Sequence, residues 1–398
     1  MRNFSPRAAA VVLSGGALAV AGVIPAFAAS STPGWRVAAT YSVSGGSSIL
    51  SGVDAVARRD AWSIGVSLKN TSNGIHSVVR HWNGRTWTAV KLPARVASTW
   101  NRQTPVLAQI GASSATNVWA FNELPGGQYL RLNGNHWTTG KLPGNNNTAG
   151  NLVTVTSEHV FSMTNVWAFG AKVDVSTATP TAVPYAAHFN GSKWTVESVP
   201  GTGPIVAVGA ASAGNLWAVI GSPSATSIGL PAPSAPTVLN WTANTGWQQA
   251  AVQPALPTGA NLTSIVARGA TVTVGGSAPN GAKGTTPLSA KFASGASAWT
   301  VTNFPGAPTT AKWNLDSMTP DGHGGLWGVL AASNRGTEHL WHLRGTAWSQ
   351  VHPSFGTHPW ILTQLSTVPG TGSVWAVGAT KRGTAADGLI AIDGRMPR

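Results

Sequence analysis

Eleven carboxylates are all that this 398-residue chain offers for acid–base chemistry: Asp54, Asp60, Glu123, Glu158, Asp174, Glu197, Asp316, Asp321, Glu338, Asp387 and Asp393. Cleaving a glycosidic bond takes two carboxyl groups flanking it. Asp60, Asp321-Gly322 and Asp393-Gly394 stand where turns favour an acidic residue. Asp54 and Asp316 are different, because each falls in or near a segment that reads as an innermost strand, whose side chains would face a central channel. They are the candidate channel acids, either hydrating the channel or forming the acid pair of a hydrolase or lyase. Ten histidines show no metal-ligand spacing. His339 and His342 flank Leu340-Trp341 in a strand-like run, where an i, i+3 pair points to opposite faces. There is no G-x-S-x-G, no H-E-x-x-H, no calcium loop and no glycine-rich phosphate cradle opening a helix. No catalytic residue is therefore assigned, and no metal or cofactor is expected.

The other chemistry on offer is aromatic. Three of the 19 tryptophans stand apart from any repeat: Trp100 (TWNRQ), Trp313 (KWNLD) and Trp360 (PWILT). With Arg102, Lys312 and Asn314 beside them, exposed rings at a channel mouth would suit sugar faces or anionic polymers. The competing expectation is that these rings plug gaps at the channel rim.

What must position these residues is a repeat. One tryptophan series sits in small, apolar runs: Trp62 (AWSIG), Trp119 (VWAFN), Trp167 (VWAFG), Trp217 (LWAVI), Trp327 (LWGVL) and Trp375 (VWAVG), with a degenerate copy at Val272–Gly275. A second follows tight turns: Trp87, Trp137, Trp194, Trp247, Trp299 and Trp348, to which Trp35 belongs. Successive members lie 48 to 57 residues apart, a period that means a propeller or a solenoid. Each unit holds four short β-like runs and no helical periodicity. In the second unit these are Val106–Gly111, Val118–Phe121, Tyr129–Leu132 and Trp137–Leu142, with Asn-Gly, a strong hairpin signal, before the last. Four antiparallel strands repeated seven times describe propeller blades.

Closure decides against an open solenoid. The last unit reaches its turn at Asp393-Gly394 and lacks a fourth strand, whereas Gly34–Ala39 is a surplus one. The N-terminal strand is therefore expected to complete the seventh blade and leave no open edge. The tryptophans of both series are expected to be packing residues, each contributing on the order of 2–3 kcal/mol by burial.

Composition sets the surroundings. Arg2 and Arg7, the apolar run Ala8–Ile24 and Ala26-Phe27-Ala28 have the form of an export leader. Residues 1–28 are expected to be a cleaved signal peptide and 29–398 the propeller. No later run is apolar for long enough to span a membrane. Cysteine is absent and only 9% of residues are charged, so stability must come from burial. The net charge is +14, and losing two arginines with the leader takes it to +12. That surplus attracts anions such as cell-wall polymers. It is too scattered for a nucleic-acid binder.

On its W-A-V-G and W-N-G-x-x-W repeats the chain resembles secreted β-propeller proteins of actinobacteria, along the whole mature length. Its third-to-fourth-strand turns are also similar to a worn Asp-box, the turn of sialidase-type propellers. The match covers Gly84 with Trp87, Gly134 with Trp137, Gly191 with Trp194 and Gly345 with Trp348. Where the box has Asp, this chain has Trp82, Leu132, Phe189 and Leu343. The resemblance implies an all-β propeller and an extracellular setting, without an activity.

The expectation is a secreted, monomeric, non-catalytic binding or scaffold propeller for glycan or anionic cell-wall material, with a channel-acid hydrolase or lyase as the alternative. Function is expected on the face carrying the long connections Ser67–Ser77, Ala94–Thr104, Lys172–Pro184, Ser222–Pro236, Ser277–Pro287 and Ser333–Glu338, because loops on a rigid scaffold are where binding concentrates.

Overall fold

The structure, a computed structural model, describes residues 34–69, 75–101, 108–123, 126–145, 150–176, 178, 180–221, 235–281, 284–302, 304–307, 312–332 and 338–394. The strands form seven four-stranded antiparallel sheets, the blades of a propeller. Strand order within blades 1–6 follows the chain. The inner strands are Gly46–Ala57, Ala108–Ser114, Leu152–Ser162, Ile205–Ser212, Asn261–Arg268 and Trp313–Pro320. Blade 7 has Trp360–Thr367, Val374–Arg382 and Ala385–Asp393, and its outer strand is Arg36–Tyr41 from the other end of the chain.

That strand pairs antiparallel with Ala385–Asp393, from Arg36 opposite Ile392 to Tyr41 opposite Gly388. Just before it, Trp35 is buried and meets Trp327 and Phe355 edge-on at 5.3 and 6.3 Å. The first ring carries the seam from blade 7 onto blade 6. On the other side, Leu50 and Val53 of blade 1 share a core cluster with Trp375, Val377, Ile390 and Ile392 of blade 7. The ring is closed by packing on both flanks.

Both tryptophan series fill the spaces between blades. Among the thirteen rings, Trp137, Trp194 and Trp217 are half-buried and the others are buried. Cross-strand partners stack on several of the W-A-V-G rings: His81 on Trp62 at 4.2 Å, His188 on Trp167 at 4.2 Å and His342 on Trp327 at 4.0 Å. The Arg131 guanidinium lies over Trp119 at 4.5 Å. Asp60 and Asp321 hold His81 and His342 at 2.9 Å. These two acids orient stacking imidazoles, a task that turn propensity alone does not explain. Asp321 also caps its turn, accepting from the His323 and Gly325 N–H groups.

Two expectations about the connections need correction. The link from blade 1 to blade 2 begins as an α-helix, Ala94–Asn101, where no helical periodicity was expected. Eight residues are too few to display a helical period reliably, and tertiary packing fixes the conformation. Lys172–Pro184 and Ser277–Pro287 are chiefly prolonged strands: Asn165–Asp174 with Thr181–Phe189, and Thr271–Asn280 with Gly284–Ala293. Residues 70–74, 102–107, 222–234 and 333–337, which make up much of the other expected long connections, lie outside the described residues.

Candidate functional site

The inner strands share a local irregularity that sorts the acids. Six of them shift register near their start, leaving one bulged residue: Ser51, Thr156, Val206, Thr263, Asp316 and Thr363. A bulge re-aims its side chain. Here the hydroxyls turn onto the following blade's inner strand. Ser51 donates to the Ala108 carbonyl at 3.0 Å, Thr263 to Leu315 at 2.9 Å and Thr363 to Leu50 at 2.8 Å, and Thr156 bonds Ile205 in the same way. Asp316 occupies this blade-to-blade slot in blade 6, where it accepts a hydrogen bond from the Asn314 amide. It does not line the cavity that holds Asp54. The expected Asp54–Asp316 pair is not brought together.

A different pair is. Pairing with the W-A-V-G strands puts all seven blades in a common register. Opposite the residue after each tryptophan stand Val53, Ile110, Glu158, Val208, Met318 and Leu365; in the degenerate blade, whose repeat lies one residue later than expected, Ile265 holds the same place two residues past the bulge and faces Val274. Six are apolar and buried; the seventh is Glu158. Its side chain lies against Gly111 of blade 2, where an added Cβ would sit 3.1 Å from the Glu158 Cγ and 2.9 Å from the Val160 Cγ2. Glycine there makes room for the Glu158 and Val160 side chains. From the other flank, Asp54 of blade 1 accepts the Ala112 N–H at 2.7 Å. Two carboxyl groups from blades 1 and 3 thus converge on Gly111–Ala112 of blade 2.

They line a cavity of about 310 Å³ whose wall includes residues from the inner strands of six blades, among them Gln109, His159, Thr319, Gln364 and Ser366. Several of these tie blade to blade: Gln364 accepts the Val53 N–H at 2.7 Å, and Ser366 accepts that of Ala55 at 3.0 Å. His159 bonds the Val208 carbonyl at 3.1 Å. Among the described residues, no lysine or arginine lines the cavity.

Electrostatics follow from this enclosure. Burial pushes the Asp54 carboxyl up to about 6, against the opposing pull of the Ala112 and Ala55 N–H groups and with a small rise from Asp60; Ser366 also lowers it. Glu158 is pushed up to about 8, first by burial and then by the negative charges of Asp54 and Glu123. Its carboxyl makes no hydrogen bond to a described residue. Burial likewise lowers His159, keeping the imidazole neutral. Near neutral pH the wall holds one largely protonated carboxyl, one largely ionised carboxylate and a neutral imidazole. Such a set donates and accepts hydrogen bonds without a fixed positive charge.

The aromatic candidates lie elsewhere. Trp100 is fully buried within the helix, donates to the Ser77 hydroxyl at 2.6 Å and belongs to the core between blades 1 and 2. Trp313 is buried in the blade 6 core with its ring edge-on to His339 at 4.8 Å. Trp360 is half-buried and packs on Phe355 at 5.1 Å, against the blade 6–7 core. The three rings occupy separate clusters, so the expectation of an exposed aromatic mouth is overturned. Each begins an inner strand or ends a linking helix, and apolar burial there outweighs exposure. Lys312 is exposed, and Asn314 also receives the Thr263 hydroxyl at 3.3 Å. Arg102 lies outside the described residues.

No known protein family matches the chain, and no curated protein matches it by sequence. Solved structures do share its architecture. "YCF48 bound to D1 peptide" is similar at 13% identity and a TM-score of 0.56, over 92% of this chain and 96% of that one. The β-propeller domain of the Trilobed protease from Pyrococcus furiosus aligns at 7% identity and a TM-score of 0.50, over 88% and 94%. A Trypanosoma rangeli sialidase reaches a TM-score of 0.41 at 9% identity, over 88% of this chain and 55% of that one. At such identities the likeness is one of fold, and the role of each residue rests on the geometry above.

Proposed function

We propose that this chain is an extracellular, non-catalytic binding propeller that holds a glycan at its channel cavity. One observation carries the reading: Asp54 and Glu158 meet over Gly111–Ala112 in a cavity whose wall also offers amide, hydroxyl and imidazole side chains among aliphatic ones such as Val53, Ile110 and Leu365. Carboxyl, amide and hydroxyl groups around a volume of this order are what sugar hydroxyls require. The leader-like residues 1–28 support an exported protein. The excess of basic residues supports a setting among anionic cell-wall polymers, held by the exterior because the channel acids repel them.

The test is direct titration of the mature chain with oligosaccharides chosen from a glycan array. Asp54→Asn and Glu158→Gln are each expected to weaken binding about tenfold, the loss of one charge-assisted hydrogen bond. Undiminished affinity in both variants overturns the reading.

The unequal proton affinities of Asp54 and Glu158 favour one second reading. A carboxyl that keeps its proton beside one that loses it is the arrangement of a glycoside hydrolase acid with its partner. In a hydrolase or lyase of this kind Glu158 would be the acid and Asp54 the ionised group. Polysaccharide turnover that disappears in Glu158→Gln would replace the binding reading with this one.

A further inference from the structure

We infer that the channel cavity selects glycans carrying a free primary amine, an inference that rests on the glycan reading and specifies its ligand. The cavity wall is unbalanced in charge. The chain is strongly cationic, yet Asp54 and Glu158 face this cavity with no lysine or arginine beside them among the described residues. The further charges that act on these two carboxyls, those of Asp60 and Glu123, are also negative. His159 has its Nε2 engaged by the Val208 carbonyl. Enclosed carboxylates are normally offset by a paired cation, and no described residue supplies one at the wall.

Glu158 provides an independent sign that this is a built feature. Six blades place Val, Ile, Met or Leu at its register position, all buried. An aliphatic residue in blade 3 would keep the pattern of the other six blades. Instead the chain has a carboxyl without a hydrogen bond to a described residue and a glycine that leaves it space. A position that departs from its repeat against its own packing marks a functional demand.

An ammonium group answers that demand. Its three N–H donors suit the Glu158 carboxylate, the Asp54 carboxylate beside it and a side-chain oxygen such as that of Gln109, all on one wall. The remaining polar wall suits the hydroxyls of the same sugar ring. A volume of about 310 Å³ admits a single monosaccharide unit at the lower limit of ordinary ligand sites. An N-acetyl group replaces the charge by a neutral amide and forfeits the attraction to both carboxylates.

Binding of an ammonium beside a protonated Glu158 ionises it, so one proton leaves with each ligand bound near neutral pH. Calorimetry of the mature chain in two buffers of different ionisation enthalpy reads this release. The probes are a glucosamine oligomer, its fully N-acetylated counterpart, a neutral glucose oligomer and a lysine-containing tetrapeptide. The expected result is about tenfold tighter binding of the glucosamine oligomer than of the acetylated one, with proton release. Glu158→Gln, which keeps shape, is expected to abolish both the preference and the release. Asp54→Asn is expected to reduce affinity for the amine oligomer, and the thermal transition of each variant reports that the fold is kept. Equal binding of all three sugars, weakened in Asp54→Asn, overturns the amine inference and leaves the glycan reading standing. If no sugar binds, both fall. If the tetrapeptide binds more tightly than every sugar, the glycan reading falls and the amine inference, as stated for glycans, falls with it.

Discussion

Blades 6 and 7 at the seam and blades 1 to 3 over Gly111 are built from the same repeat, and they use it in opposite ways. At the seam the strand borrowed from the other end of the chain adds apolar contact: Trp35 is buried against Trp327 and Phe355. Over Gly111 the repeat is broken: a carboxyl is inserted at position 158, against that glycine, where other blades pack Val53, Ile110 or Leu365. One region is optimised for closure, and the other gives up stability around a cavity. In a repeat protein, packing fixes what each unit has in common, so function is found in the residues that depart from it.

The largest effect should come from the seam. Trp35→Ala removes a buried indole and leaves a hole between blades 6 and 7, an expected loss of about 4 kcal/mol in chemical denaturation. If instead the variant unfolds within about 1 kcal/mol of the parent, the seam is not held by this ring and the contrast collapses.

Next in size is a gain of stability at the other region. Glu158→Leu installs the aliphatic residue that the register calls for. A carboxyl raised from its ordinary 4.5 to about 8 binds its proton more tightly in the folded state than in the unfolded one. Its contribution is therefore most favourable below about pH 4.5 and is lost progressively as pH rises to about 8. Glu158→Leu should accordingly gain about 2 kcal/mol above pH 8, gain little near pH 4, and flatten the stability–pH curve between these limits. Ligand affinity should fall in the same variant.

The blades and their closure could be read from the sequence because hairpin turns and tryptophans are local signals. Asn83-Gly84, Asn133-Gly134 and Asn190-Gly191 sit at turns where Gly84, Gly134 and Gly191 have positive φ. Asp54 could be placed for the same reason, since it lies eight residues before Trp62 in a clear strand. Glu158 was passed over although the signal existed. Counting back nine residues from Trp62, Trp119, Trp167, Trp217 and Trp327 gives Val53, Ile110, Glu158, Val208 and Met318, four apolar residues and one acid. Asp316 misled because it sits eleven residues before Trp327, at the bulge and outside the register of Asp54. A bulge slips the alternation of faces by one residue, and only the strand pairing reveals where it falls. Trp100, Trp313 and Trp360 show the converse: an aromatic between repeats looks available in sequence, while its burial depends on neighbours distant in the chain.

A smaller perturbation isolates the space around Glu158. Gly111→Ala would bring a methyl group 3.1 Å from the Glu158 Cγ and 2.9 Å from the Val160 Cγ2. Overpacking of this kind should cost about 1–2 kcal/mol. If the glycine exists for the carboxylate, pairing the change with Glu158→Ala should recover most of that loss, seen as a non-additive double-mutant cycle. Strict additivity would mean that Gly111 serves only the blade 2–3 backbone approach.

The least disruptive substitution separates the two acids that first stood together. Asp316 occupies the slot in which Ser51, Thr156, Thr263 and Thr363 donate to the next blade. A carboxylate cannot donate there, whereas threonine restores the hydroxyl that the neighbouring carbonyl would accept. Asp316→Thr should therefore change stability by no more than about 1 kcal/mol, in the stabilising direction, and leave binding at the cavity intact. A loss of binding as large as that of Asp54→Asn would place Asp316 within reach of the ligand. The channel would then act along its length, and the line drawn between structural bulge and functional wall would have to move.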